Sequence, residues 1–248
     1  MSSPSSSTLM TPEVLGETVT LYVGPKRKKY LVHKKILCEQ SKFFNAGFKT
    51  DFKEAAEGEM YLPDDDPITV ANLIEYLYRG KLPISCKLRF RLYYLAEKIC
   101  MSSLMDRLMD AIFEAQKAWK FRGFQSTAIE SIYANTHHNS KLRLYNAATI
   151  AFRIHCDKED AKWMQKYLAL GGTCPDLFKD IFAVLATHGT AAFKSECYVH
   201  LSDMKAAFGI CAFHVHDDDG VCYTKANELN EGKIKMESET RSTTTPSS

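Results

Sequence analysis

The apolar residues of this chain change period near His33, and that change limits the folds open to it. Val19, Leu21 and Val23 alternate with Thr20 and Tyr22, the two-residue repeat of a half-buried strand. Gly24-Pro25 marks a turn, and Tyr30-Leu31-Val32-His33 reads as the returning strand. From Lys35 the pattern becomes helical. A short helix is expected over Lys35 to Glu39, and a second, capped by Ser41, carries Phe43, Phe44 and Phe48 on its apolar face. Period two returns at Glu59 to Leu62, with Met60 and Leu62 on one side. Asp66-Pro67 is a helix start, an acidic N-cap followed by a residue whose missing N–H costs nothing at the first helical position. Val70, Leu73 and Leu77 then share a face, and Gly80 suits a left-handed C-cap. A short strand follows. Leu88, Leu92, Leu95 and Ile99 mark the next helix, and Leu104, Leu108 and Ile112 the one after, with Ser102 or Ser103 as its cap. A hairpin with helices packed on a small sheet is an α+β architecture.

The second half lacks the two-residue repeat until its end. From Ser126 to His188 four helices are expected: Ile129, Ile132 and Tyr133 line the first, and Leu142, Tyr145 and Phe152 the second. Trp163, Tyr167 and Leu170 line the third, stopped by Gly171-Gly172, and Leu177, Ile181 and Leu185 the fourth. Short loops make neighbouring helices antiparallel, so the stripes read as bundle core.

Composition narrows the function. The 248 residues are 45% apolar and 25% charged, the balance of an ordinary globular protein, and the net charge is only +2. A protein held mainly by nucleic-acid backbone needs a stronger basic balance. The run Lys26-Arg27-Lys28-Lys29 lies at the first hairpin, where a solvated tip explains it better than an import signal or anion patch. The longest apolar run, Ile181 to Ala186, is far too short to span a bilayer, and the Ser-rich start has no signal-peptide pattern. An intracellular protein, cytoplasmic or nuclear, is therefore expected, with most of its eight cysteines acting as small buried apolar side chains. No phosphate-cradling glycine loop, nucleophile elbow or His-Glu-x-x-His motif is present, so nothing recommends an enzyme.

One segment stands apart. Cys197-x2-His200 and Cys211-x2-His214 form two pairs, with His216 and Cys222 close by. Two such pairs could supply the four N and S ligands of zinc. The spacing is not that of the usual finger, which pairs Cys with Cys and His with His. The stretch Cys211 to His216 also reads as a strand, with Asp219-Gly220 turning into Val221-Cys222-Tyr223 as a short β-hairpin. No cofactor or metal is assigned on this pattern.

The residues of the first half carry a family resemblance. Val32-His33-Lys34-Lys35-Ile36-Leu37, Ser41-Lys42-Phe43-Phe44, the acidic segment before Tyr61-Leu62, and Leu73-Ile74-Glu75-Tyr76-Leu77-Tyr78-Arg79-Gly80 together resemble the BTB/POZ signature. Ile129 to Tyr133 and on through Lys141-Leu142-Arg143 are similar to the helical extension common in fungal proteins of that family. The resemblance implies a BTB/POZ domain over 17–122 and a helical extension over 123–190, and the Ser-rich composition of the start makes 1–16 an expected disordered tail. A Cys/His-containing hairpin segment over 191–225 and a second disordered tail over 226–248 complete the expected plan.

What the resemblance implies for function is a scaffolding module with protein partners and no catalytic residues. Family members recruit partners, often as substrate adaptors for cullin-type ubiquitin ligases, or act as transcriptional or structural scaffolds through oligomerisation. The first strand begins Thr18-Val19 where many members have Asp-Val, and residues 1–16 show no amphipathic helix of the kind exchanged between subunits. The core is more similar to the elongin C type, and homodimerisation stays open. Cullin adaptors often present an apolar-x-Glu motif after the second core helix, and Phe52-Lys53-Glu54 matches it in type and place. Phe52 and Glu54 are therefore the candidate protein-interaction residues; the alternative is that Phe52 covers the sheet and Glu54 faces solvent. His33, inside the signature, is expected to be a core histidine with its ring hydrogen-bonded to backbone.

Overall fold

The first alternation forms the hairpin, with β1 (Thr18–Val23) antiparallel to β2 (Lys28–His33) and Leu21 opposite Tyr30. The computed structural model describes residues 16–49, 52–118, 123–156, 162–188, 208–209, 211–216, 220 and 222–223. Between the strands, Gly24 and Arg27 both take positive φ, and Arg27 N–H closes the turn on the Gly24 carbonyl at 2.9 Å. The basic tip is more than solvated charge. The Arg27 guanidinium lies over the rings of Tyr22 and Tyr61, 4.8 and 4.4 Å from their centroids.

The third strand, β3 (Glu59–Leu62), joins the free edge of β1 in parallel, giving the order β2-β1-β3. A parallel partner needs a crossover. Here it is made by α1 (Lys34–Gln40), α2 (Lys42–Lys49) and α3 (Lys53–Glu57). Ser41 sits buried at the α1–α2 corner. Its Oγ accepts the Phe44 N–H at 3.2 Å and donates to the Ile99 carbonyl at 2.6 Å, so one side chain caps α2 and ties it to a distant helix end.

The helix α4 (Pro67–Arg79) begins and ends as its residues dictate. Asp66 Oδ2 accepts from the Thr69 N–H at 3.1 Å and the Thr69 hydroxyl at 2.8 Å, a cap worth about 1 kcal/mol. Gly80 closes the helix at φ 64°, donating to the Tyr76 carbonyl. The short strand expected next does not form: residues 81–83 are irregular. Pro83 has no N–H for a ladder, and its carbonyl accepts from Arg89 Nε at 2.7 Å instead. The helices α5 (Cys86–Lys98) and α6 (Ser102–Ala118) follow. The cap of α6 is Met101, whose carbonyl accepts the Met105 N–H, so Ser102 and Ser103 lie inside the first turn rather than before it.

The remaining helices are α7 (Ser126–Asn135), α8 (Lys141–Cys156), α9 (Lys162–Leu168) and α10 (Pro175–His188), with a 3-10 turn at Ala169–Gly171. The expected stripes point inward: Ile129, Ile132, Leu142, Tyr145, Phe152, Trp163, Tyr167, Leu170, Leu177 and Ile181 are all buried. Arg143 holds the α7–α8 corner. Its Nε donates to Thr136 Oγ1 at 3.0 Å and its Nη2 to the carbonyls of Tyr133 and Thr136, while Nη1 lies 3.5 Å from Asp176 at the start of α10.

One apolar core runs from the sheet to the C-terminal segment. Phe90 of α5 meets Phe124, Phe124 meets Tyr145 of α8, and Tyr145 meets both Phe113 of α6 and Phe213, with ring centroids 5.1–5.9 Å apart. The aromatic chain fastens Phe213 directly to Tyr145 of α8 and through it to Phe113 of α6, a hundred positions earlier.

Candidate functional site

The α3 helix is only five residues long and buries none of them, which is why no apolar stripe announced it. Phe52 is its N-cap, with φ −76° and ψ 157°, and its carbonyl accepts the N–H groups of Ala55 and Ala56. The backbone there is extended, and Phe52 is 59% exposed. Phe52 therefore does not cover the sheet. Glu54 lies in the first turn, half-buried, and its carbonyl accepts the N–H of Gly58, whose φ of 65° ends the helix and admits β3. The pair is thus an exposed aromatic beside a carboxylate, at the start of a short helix that leads into a sheet edge. Single exposed apolar residues are ordinary on a protein surface, and Leu31, Ile68 and Ile84 are others here.

His33 ends β2 half-buried, and its ring partner is a side chain rather than backbone. The Tyr78 phenol of α4 accepts the His33 backbone N–H at 3.0 Å and lies 2.6 Å from His33 Nδ1. The phenol thus engages both the backbone and the ring of His33. The histidine joins sheet to helix.

The strand expected from Cys211 to His216 does not form. Residues 211–213 form a turn and 214–216 an irregular stretch, closed by the His214 N–H on the Cys211 carbonyl at 3.0 Å. The reason lies in α6. Asp106 accepts the N–H groups of Val215 and His216 on its two carboxylate oxygens, taking the donors a strand partner would have used. Within this segment Cys211, His214, His216 and Cys222 place one ligand-type atom each within 4.8 Å of one another. Cys197 and His200, the other pair of the sequence pattern, lie outside the described residues, as does Asp219. Burial opposes the charged form of His214, but its bonds to Asp110 and Cys222 and the two nearby carboxylates outweigh this and raise its pKa to about 9. Cys38, Cys174 and Cys222 are buried as expected of most cysteines, whereas Cys86 and Cys211 are half-buried and Cys100 is exposed.

Comparison with known proteins follows the same outline. The BTB/POZ domain family model matches residues 15–115, so that part of the chain is similar to a BTB/POZ domain. The BTB domain of zebrafish PATZ1 is a similar solved structure, 19% identical, covering 39% of this chain and 75% of that one at a TM-score of 0.33. The matched domain is a protein–protein interaction module. Among the described residues no helix is long and apolar enough to cross a membrane.

Proposed function

We propose that the chain is a protein-interaction adaptor whose BTB/POZ domain docks a cullin-type ubiquitin ligase through Phe52 and Glu54, with the helices of 123–190 as a second platform for partners. The observation that carries this reading is the 59% exposure of the Phe52 ring beside Glu54 at the start of α3. A large exposed aromatic next to a charge is the kind of group that dominates interface energetics, because it can bury much apolar area. The motif's place after the second core helix, within the matched domain, supports the same assignment.

The test is co-purification of the host's cullins with the full chain. Wild type retains a cullin, and Phe52→Ala with Glu54→Ala loses it while far-UV circular dichroism stays unchanged. Retention of the cullin by a folded double variant would count against the assignment.

A further inference from the structure

We propose that Cys211, His214, His216 and Cys222 are a structural zinc site that staples the C-terminal segment onto α6. Their ligand-type atoms lie within 4.8 Å of one another, two sulfurs and two imidazole nitrogens with no other donor among them. A tetrahedral zinc with bonds of about 2.3 Å to sulfur and 2.0–2.1 Å to nitrogen sets its ligand atoms roughly 3.3–3.8 Å apart. His214 Nδ1 and Cys222 Sγ, at 3.4 Å, already stand at such an edge. A contraction of about an ångström in the remaining separations closes the shell.

The surroundings are built for the same purpose. His214 turns its second nitrogen, Nε2, to Asp110 Oδ1 at 3.3 Å, the carboxylate–histidine pairing that fixes the tautomer and aim of a metal-bound imidazole. Tyr223 donates to the other oxygen of Asp110, and the Arg107 guanidinium covers the Tyr223 ring at 4.9 Å. Asp106, buried to 2% exposure, holds the backbone of Val215 and His216 so that both imidazoles face the same point. His216 Nε2 is buried and makes no hydrogen bond among the described residues. An orphaned buried nitrogen is costly in a protein interior, and a metal bond would satisfy it.

The donor set selects the ion. Two thiolates and two imidazoles with no carboxylate in the shell suit zinc and not magnesium or calcium. All four positions are filled by protein, which makes the site structural, with no open position for a substrate. The segment's own apolar contribution is small, chiefly Phe208, Ala212 and Phe213, so ligation would supply the folding free energy its core lacks.

The experiment uses the tag-free full chain, expressed with zinc and dialysed against metal-free buffer, with elemental analysis of bound metal. The expected result is about one zinc per chain, lost in Cys211→Ser with Cys222→Ser and in His216→Ala. Cobalt loaded in place of zinc is expected to give the visible bands of a tetrahedral thiolate site, and those of the wild type must vanish in the Cys variant. Chelation of wild-type protein should speed proteolytic cleavage within 211–223 at least about tenfold while residues 16–118 stay protected. Less than about a tenth of an equivalent in zinc-supplemented wild type would overturn the proposal. So would full retention by the Cys211/Cys222 variant, or loss of the metal only when Cys197 and His200 are replaced. The chelation arm reads wild-type protein, so a variant that fails to fold does not blunt the test.

Discussion

Asp106 Oδ1 accepts the backbone N–H of Val215 at 2.6 Å, a bond between α6 of the BTB/POZ domain and a residue 109 positions later. The carboxylate is almost wholly buried, and its second oxygen takes the next amide, that of His216, at 3.2 Å. One side chain therefore does for the C-terminal segment what a neighbouring strand would have done.

Asp106→Asn isolates that role, because an amide keeps the shape but has one acceptor oxygen where two are used. The amides of Val215 and His216 should exchange with solvent at least about tenfold faster, while those of β1 and α4 keep their protection. Hydrogen exchange followed by mass spectrometry or NMR reads this directly. Equal acceleration across the chain, or no change at Val215 and His216, would mean that Asp106 does not hold the segment.

Arg143 predicts a different outcome for a conservative change. Its planar head donates along three directions to Thr136 Oγ1 and the carbonyls of Tyr133 and Thr136, and its face covers the Tyr133 ring at 4.6 Å. Lysine has neither the fork nor the plane. Arg143→Lys should cost nearly as much as Arg143→Met, roughly 2–4 kcal/mol in urea unfolding, since both leave the last carbonyls of α7 unpaired. A lysine variant within about 0.5 kcal/mol of wild type would contradict this account.

The α4 cap makes stability depend on acid. Burial raises the Asp66 carboxyl, but bonds from the Thr69 hydroxyl and the N–H groups of Thr69 and Ile68, with the Arg91 charge, together hold it below its ordinary value. A depressed carboxylate contributes stability that is fully present above its unfolded pKa of about 3.9 and is lost as pH falls through the folded value. Asp66→Asn keeps a capping oxygen but cannot titrate. Wild type should therefore have the higher Tm at neutral pH, by a margin that shrinks between about pH 5 and pH 2. The site is partly exposed, so the margin is small. A difference that does not change with pH would exclude the charge as its source.

How far the sequence reached depends on how local each signal was. Asp66, Pro67 and Gly80 lie at the ends of the element they delimit, and α4 starts and stops where they say. The alternation of Val19, Leu21 and Val23 likewise contains its own evidence for β1. The α3 helix had no such signal, because Lys53–Glu57 buries nothing and is set by Phe52 before it and Gly58 after it. The Cys/His segment failed in an instructive way. Alternation over Cys211–His216 suggested a strand, but the donors of Val215 and His216 are taken by a carboxylate on a helix far away in the chain, which no local pattern encodes. The sequence pattern paired Cys211 and His214 with Cys197 and His200 and placed His216 and Cys222 only close by; the grouping of Cys211, His214, His216 and Cys222, and Asp110 as the partner of His214, needed the fold. Phe52 is the intermediate case: the motif marked it, and its exposure is a property of the fold.

The adaptor assignment is tested most directly by titrating the purified chain with the N-terminal region of the host's BTB-binding cullin in a calorimeter. Wild type should bind saturably, and Phe52→Ala should weaken binding by about 2 kcal/mol or more, roughly thirtyfold. Ile84→Ala, which trims a side chain that is 86% exposed in the loop before α5, should leave the affinity unchanged. Wild-type affinity in a folded Phe52→Ala variant, or equal losses at Phe52 and Ile84, would contradict docking through the α3 turn.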